Sequence, residues 1–147
     1  MKDAPDTPGE LKARALRYLV RREHSRAELE RKLSPFAASP ADLAAVLDQL
    51  VARRQLSDER FAEERARCLS RKYGPAKIRQ DLKARGISDG VIQRVAGGDD
   101  LGRARAIFLK KFPSDTSDPA ERAKRARFLQ GRGFSYEVIA RVLKDVE

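Results

Sequence analysis

A leucine, a serine and two aliphatic residues recur along the chain with one internal spacing. Leu33, Ser39, Leu43 and Val46 stand six, four and three residues apart; Leu82, Ser88, Ile92 and Val95 repeat that spacing, and so do Leu129, Ser135, Ile139 and Val142. The copies are offset by 49 and then 47 residues. A period of this length belongs to tandem helical arrays, in which each unit buries its apolar face partly against its neighbours. Such an array offers a long surface to a partner more readily than it encloses a small substrate.

Within each copy the apolar positions predict three helices. In the first, Leu16, Leu19 and Val20 mark the inner face of a helix from Leu11 to about Arg22. Ser25-Arg26-Ala27-Glu28 is a capping box that opens a second helix carrying Leu29 and Leu33. Ser39 followed by Pro40 starts a third, with Leu43, Val46, Leu47 and Leu50 inward. The second copy opens at Ser57-Asp58-Glu59, whose acids suit the positive end of a helix dipole, and buries Phe61, Ala62, Ala66 and Leu69. Gly74-Pro75 restarts the chain for Ile78 and Leu82, Gly86 ends that helix in the left-handed region, and Ser88 caps a short helix with Val91, Ile92 and Val95. Gly97-Gly98-Asp99-Asp100 is a linker.

The third copy follows the same scheme. Ala104, Ile107 and Phe108 lie on its first helix, a polar loop runs from Pro113 to Pro119, and Asp118-Pro119-Ala120-Glu121 starts the next helix. Phe128 and Leu129 precede Gly131-Arg132-Gly133-Phe134-Ser135, and Val138, Ile139, Val142 and Leu143 face inward on the last. No segment alternates with the period of a strand. The reading is all-α: three tandem three-helix repeats, helix-turn-helix-like bundles, in an elongated array. A disordered tail is expected over 1–10, with repeats at 11–56, 57–100 and 101–147.

Charge sharpens this picture. Of 147 residues, 32 are Lys or Arg and 22 are Asp or Glu, a net charge of +10. Residues 65–85 hold eight basic side chains (Arg65, Arg67, Arg71, Lys72, Lys77, Arg79, Lys83 and Arg85) against one acid, Asp81. Residues 122–132 hold Arg122, Lys124, Arg125, Arg127 and Arg132 with no acid. Blocks of this density point to a polyanion or an acidic protein groove, or in the plainer reading to a solvated helix face. Cys68 is the only cysteine, which excludes an internal disulfide and gives no sign of secretion. No apolar run approaches the roughly 20 residues that cross a bilayer. The expectation is a soluble, cytoplasmic monomer without a membrane partner.

Four motifs in order resemble the RecX family, regulators of the RecA recombinase: His24-Ser25-Arg26-x-Glu28-Leu29-x-x-Lys32-Leu33, Leu56-Ser57-Asp58-Glu59-Arg60-Phe61-Ala62, Gly74-Pro75-x-x-Ile78-x-x-x-Leu82-x-x-x-Gly86-Ile87, and Phe128-Leu129-x-x-Arg132-Gly133-Phe134-Ser135. The match covers nearly the whole chain after residue 10. The resemblance implies a tandem three-helix protein that binds in the deep groove of the RecA filament on DNA, usually inhibiting filament growth and recombinase activity. One departure is Arg65, which stands where the family often has an aromatic residue.

Candidate contact residues follow from helix geometry. At about 100° per residue, with Ile78 and Leu82 inward, Lys77, Gln80 and Lys83 face outward. The repeat offsets set Lys124 at the place of Lys77, and set Arg31 and Arg127 at the place of Gln80, so cations recur on the outward face of the middle helices. Arg85 and Arg132 are equivalent, each one residue before a turn glycine, where they also suit the negative end of a helix. Ser25 and Glu28 read as caps; Phe61, Phe128 and Phe134 read as core. His24 has no second histidine, and Cys68 stands 44 residues away, so neither metal-ligand spacing nor a catalytic constellation is present. No cofactor is implied: Gly131-x-Gly133 follows no strand and lacks the phosphate-loop pattern. Glu63, Glu64 and Asp81 are expected in surface ion pairs. The rival to a RecA partner is a module binding single- or double-stranded DNA directly. Its third helices carry few base-reading side chains, so such binding would be sequence-tolerant and salt-dependent. A scaffold for some other acidic protein has only the charge to support it.

Overall fold

The three copies of the spacing fold as three trihelical units in series. The computed structural model describes residues 4–145. Repeat 1 holds α1 (Pro8–Arg21), α2 (Arg26–Leu33) and α3 (Pro40–Ala52), with a 3-10 turn at Ser34–Phe36 after α2. Repeat 2 holds α4 (Asp58–Leu69), α5 (Pro75–Ala84) and α6 (Asp89–Val95); repeat 3 holds α7 (Asp100–Lys111), α8 (Pro119–Gly131) and α9 (Tyr136–Asp145). Among the described residues there is no strand, only an isolated bridge between Asp6 and Ala37.

Each repeat owns a core. Leu11, Ala15, Leu29, Leu33, Leu43, Val46, Leu47, Leu50 and Leu56 form the first. Phe61, Ala62, Ala66, Ile78, Leu82, Ile87, Ile92 and Ala96 form the second, and Ala104, Phe108, Leu129, Phe134, Ile139 and Val142 the third. The recurrent serines are caps: Ser39, Ser88 and Ser135 accept from the backbone N–H groups of Asp42, Val91 and Val138. Because each core is small and meets only its neighbour, the array is extended. The chain exposes 9374 Å², against about 7600 Å² for a compact monomer of its mass.

One joint links the repeats, and it is built twice. The amino end of a middle helix seats on the turn between the second and third helices of the next repeat. At the first joint the Ser25 hydroxyl, which caps α2, donates to the Arg85 carbonyl at 2.8 Å. Gly86 lies beside it at φ +81°, and a side chain there would strike the Ala27 methyl. At the second joint Gly74 replaces Ser25, and its backbone N–H donates to the Arg132 carbonyl at 2.7 Å. Ala76 N–H donates to the Gly133 carbonyl at 3.2 Å. A Cβ on Gly74 would come within 2.6 Å of that carbonyl, and one on Gly133 (φ +96°) within 2.6 Å of Lys77 Cγ. Gly86 and Gly133 end helices and, with Gly74 at the start of α5, also let two backbones meet; the second task is invisible in a single repeat.

Two expectations are corrected. Of the segment expected as a disordered tail over 1–10, residues 1–3 lie outside the described residues; the helix begins at Pro8, ahead of Leu11. Thr7 and Glu10 form a reciprocal capping box, with Pro8 at the first helical position. Asp6 is buried, its carboxylate gripped by Arg14 Nε at 2.8 Å, and its N–H donates to the Phe36 carbonyl at 2.8 Å. Phe36 is the repeat equivalent of Arg85 and Arg132, so the same carbonyl takes a donor in all three repeats. Second, Val20 is not inward but 86% exposed; the buried stripe of α1 is Leu11 and Ala15, with Leu16 and Leu19 only partly covered.

The joint makes a stability prediction. Gly133→Ala forces both a left-handed alanine and a backbone clash, and should cost about 2 kcal/mol or more in urea unfolding. Gly131→Ala, two residues away with nothing within 4 Å of its Cβ position, should hold or raise stability.

Candidate partner-binding surface

The cations read from the sequence divide into those engaged inside the protein and those left open. Arg65, on α4, forks onto Asp81 of α5 at 3.0 and 2.9 Å. Arg85 Nε meets the same carboxylate at 3.1 Å, while its Nη1 reaches Glu28 of repeat 1 at 3.3 Å. Arg22 closes the chain on Glu28 at 3.2 Å. The result is an alternating line, Arg22–Glu28–Arg85–Asp81–Arg65, laid across the first joint. The hydrogen bond from Arg65 holds the Asp81 carboxyl below its ordinary range. Burial pushes Glu28 up, but bonds from Arg22 and the Ser25 N–H outweigh it and hold this carboxyl low as well. Arg65 thus ties α4 to α5 by a bidentate ion pair. The expected pairing of Asp81 is present; Glu63 and Glu64 are exposed and make no ion pair among the described residues.

A second cleft, at the joint between repeats 2 and 3, has the opposite character. Arg71, Lys72 and Tyr73, just beyond α4, face Ile107, Lys110 and Lys111 of α7, with Phe128 and Arg132 from the end of α8. No acid lines it. The Arg132 guanidinium lies over the rings of Tyr73 and Phe128, 5.6 and 5.0 Å from their centroids. Phe128 is therefore only partly buried, whereas Phe61 and Phe134 are core. Sequence reasoning picked out Arg71, Lys72 and Arg132 but missed Lys110, Lys111, Tyr73 and Ile107. The doublet Lys110-Lys111 reads alone as an ordinary basic helix end; only the fold brings it opposite Arg71.

The remaining candidates are spread over separate helices. Arg31 on α2, Lys77, Arg79 and Lys83 on α5, and Lys124 and Arg127 on α8 are all exposed. Lys77 also lays its aliphatic stem along Gly133. None of these six has an ion-pair partner among the described residues.

His24 is a buried structural residue. Its Nδ1–H donates to the Arg22 carbonyl at 3.0 Å, and Nε2 accepts from Lys32 at 2.9 Å. Burial, with Arg22 and Lys32 nearby, pushes the imidazole below its ordinary 6.5. Among the described residues no cluster of three or more His, Cys, Asp or Glu side chains is arranged to hold a metal ion. No helix among them is long and apolar enough to cross a membrane.

Serial trihelical units with a shared glycine joint and open cationic faces define a tandem helical-repeat protein. Residues 12–50, 57–95 and 99–143 match, in order, the domains described as RecX first, second and third three-helix domain. The chain is 42% identical to the regulatory protein RecX of Ralstonia nicotianae over 146 residues, covering 97% of this chain and 92% of that one. It is 45% identical to the regulatory protein RecX of Chromobacterium violaceum over 134 residues, covering 90% and 88%. In fold it is similar to the crystal structure of RecX from Lactobacillus salivarius, with a TM-score of 0.84 at 20% identity over 95% of this chain and 96% of that one. The chain belongs to the RecX family of regulatory proteins.

The titration of His24 and the two clamped carboxylates gives a signed pH dependence. A group held uncharged in the fold takes up a proton on unfolding, so the stability from neutral His24 is complete above its ordinary 6.5. It is lost as pH falls through the lowered value. Glu28 and Asp81 act in a lower window, their contribution present above their ordinary 4.5 and 3.8 and lost as pH falls further. Thermal melts should therefore fall as pH drops below 6.5, and His24→Asn should flatten that decline while leaving the acid limb in place.

Proposed function

We propose that this protein regulates the RecA recombinase by lying in the groove of its filament on DNA, bridging neighbouring protomers and lowering filament growth and strand exchange. The observation that carries the reading is serial: three units repeat one joint, and each unit carries unpaired cations. Membership of the RecX family of regulatory proteins supports RecA as the partner. A molecule of this kind touches one protomer with one repeat and the next protomer with another. The linkage then raises the effective concentration at the second contact to about the millimolar range. Bound across a growing end, it holds back further addition; bound within the groove, it stands where a homologous duplex would enter.

Direct DNA binding is the second reading, favoured by the same open cations. The third helices are poorly suited to base readout. Arg94 of α6 is held by Glu59 at 3.0 Å, and its neighbours on that helix are mostly aliphatic. Any DNA contact therefore falls on phosphates, with affinity that drops linearly in log–log terms with salt and varies little with sequence. A defined sequence bound far more tightly than random DNA at physiological salt would refute this second reading.

Added substoichiometrically, the protein should slow RecA-catalysed strand exchange and single-strand-dependent ATP hydrolysis. No effect at any ratio would end the proposal. The double reversal Lys83→Glu with Lys124→Glu, on two exposed and unpaired positions, should weaken filament binding by about tenfold without changing the fold. Unchanged affinity would move the contact face off the middle helices.

A further inference from the structure

Three helix carboxyl ends, those of α4, α7 and α8, converge at the cleft between repeats 2 and 3. Each carries about half a negative charge, so together they account for roughly 1.5 units of positive charge. Five cations are gathered there: Arg71, Lys72, Lys110, Lys111 and Arg132. None of them has a carboxylate partner among the described residues. More positive charge is assembled than the helix ends balance, around a floor that is apolar.

We infer that this cleft is a docking site for an acidic polypeptide segment carrying an aliphatic anchor. Ile107, Tyr73 and Phe128 supply the seat for the anchor, and the five cations supply the rim for its flanking carboxylates. The form of the cleft favours a peptide over a nucleic-acid strand in two respects. Its volume of about 500 Å³ is that of a compact pocket and suits a short peptide segment, whereas a strand-binding groove tracks about four or more nucleotides. The two rings that line it already carry Arg132, so a base must displace a guanidinium to stack on those faces. That same stacking holds the Arg132 plane in place, ready to fork onto a carboxylate.

The test uses the purified chain with no recombinase present, so its outcome is separate from the filament reading. Fluorescence anisotropy is measured with a short labelled peptide of aspartates and glutamates around a central leucine. The expected result is saturable binding that weakens about tenfold when serine replaces the leucine. Binding should weaken at least about tenfold in Lys110→Glu with Lys111→Glu, and likewise in Arg71→Glu with Lys72→Glu on the opposite wall. An equal change of charge at the exposed positions of α1, Arg17→Glu with Arg21→Glu, should have far less effect. Circular dichroism establishes that each variant is folded, and the two walls are tested independently should one pair unfold. The inference is overturned by no binding of the leucine peptide, by equal binding of the serine peptide, or by equal loss in the α1 control. It is also overturned if a short oligodeoxythymidylate displaces the peptide and loses affinity with the same two wall pairs, which would assign the cleft to nucleic acid.

Discussion

The array depends on one backbone contact: a carbonyl in the turn before each third helix, receiving a donor from the amino end of another helix. Everything else about the relative placement of the repeats is arranged around it. Two helices can approach that closely only where a Cβ is missing, which is why Gly86 and Gly133 sit in the turns and Gly74 stands where the first joint has Ser25. The donor changes from a serine hydroxyl to a peptide N–H between the two joints, yet the acceptor keeps its place. Conservation of geometry with a change of chemistry marks the contact, rather than any one side chain, as the structural unit.

Electrostatics reinforces the two joints differently. At the first, three arginines and two carboxylates alternate, so most of their charge is neutralised within the protein and converted into orientation of one repeat against the next. At the second, the link is made by backbone hydrogen bonds and by arginine lying on aromatic rings, which leaves the surrounding charge unspent. A protein of net charge +10 thereby gathers part of its open positive charge at the second joint, beside the exposed cations of its middle helices.

The fold was legible because its signals are local. Serines at one spacing mark caps, and aliphatic residues three and four apart mark inward faces, so the helices could be placed without knowing what packs on what. The misreadings came from information that lies across the chain. Thr7 and Glu10 cap α1, but the segment before them is ordered by Phe36 and Arg14, which nothing local announces. Val20 fits a helical stripe as well as Leu11 does; only the position of α3 decides which stripe is inside. The basic blocks were equally visible, but a run of charge does not say which members are tied down. Arg65 and Arg85 look like Arg71 and Lys72 in sequence, and are separated from them only by the folded position of Asp81.

The buried Asp6 has a consequence for how copies of the molecule meet. A tandem array carries complementary surfaces at its two ends, a helix start on one and a receiving turn on the other, and such surfaces invite head-to-tail stacking into open fibres. Here the first receiving turn is already filled: its carbonyl, at Phe36, takes the N–H of Asp6, and Arg14 lies 3.7 Å above the Phe36 ring. The chain fills its own first socket, in the place that a middle helix takes at each of the two joints.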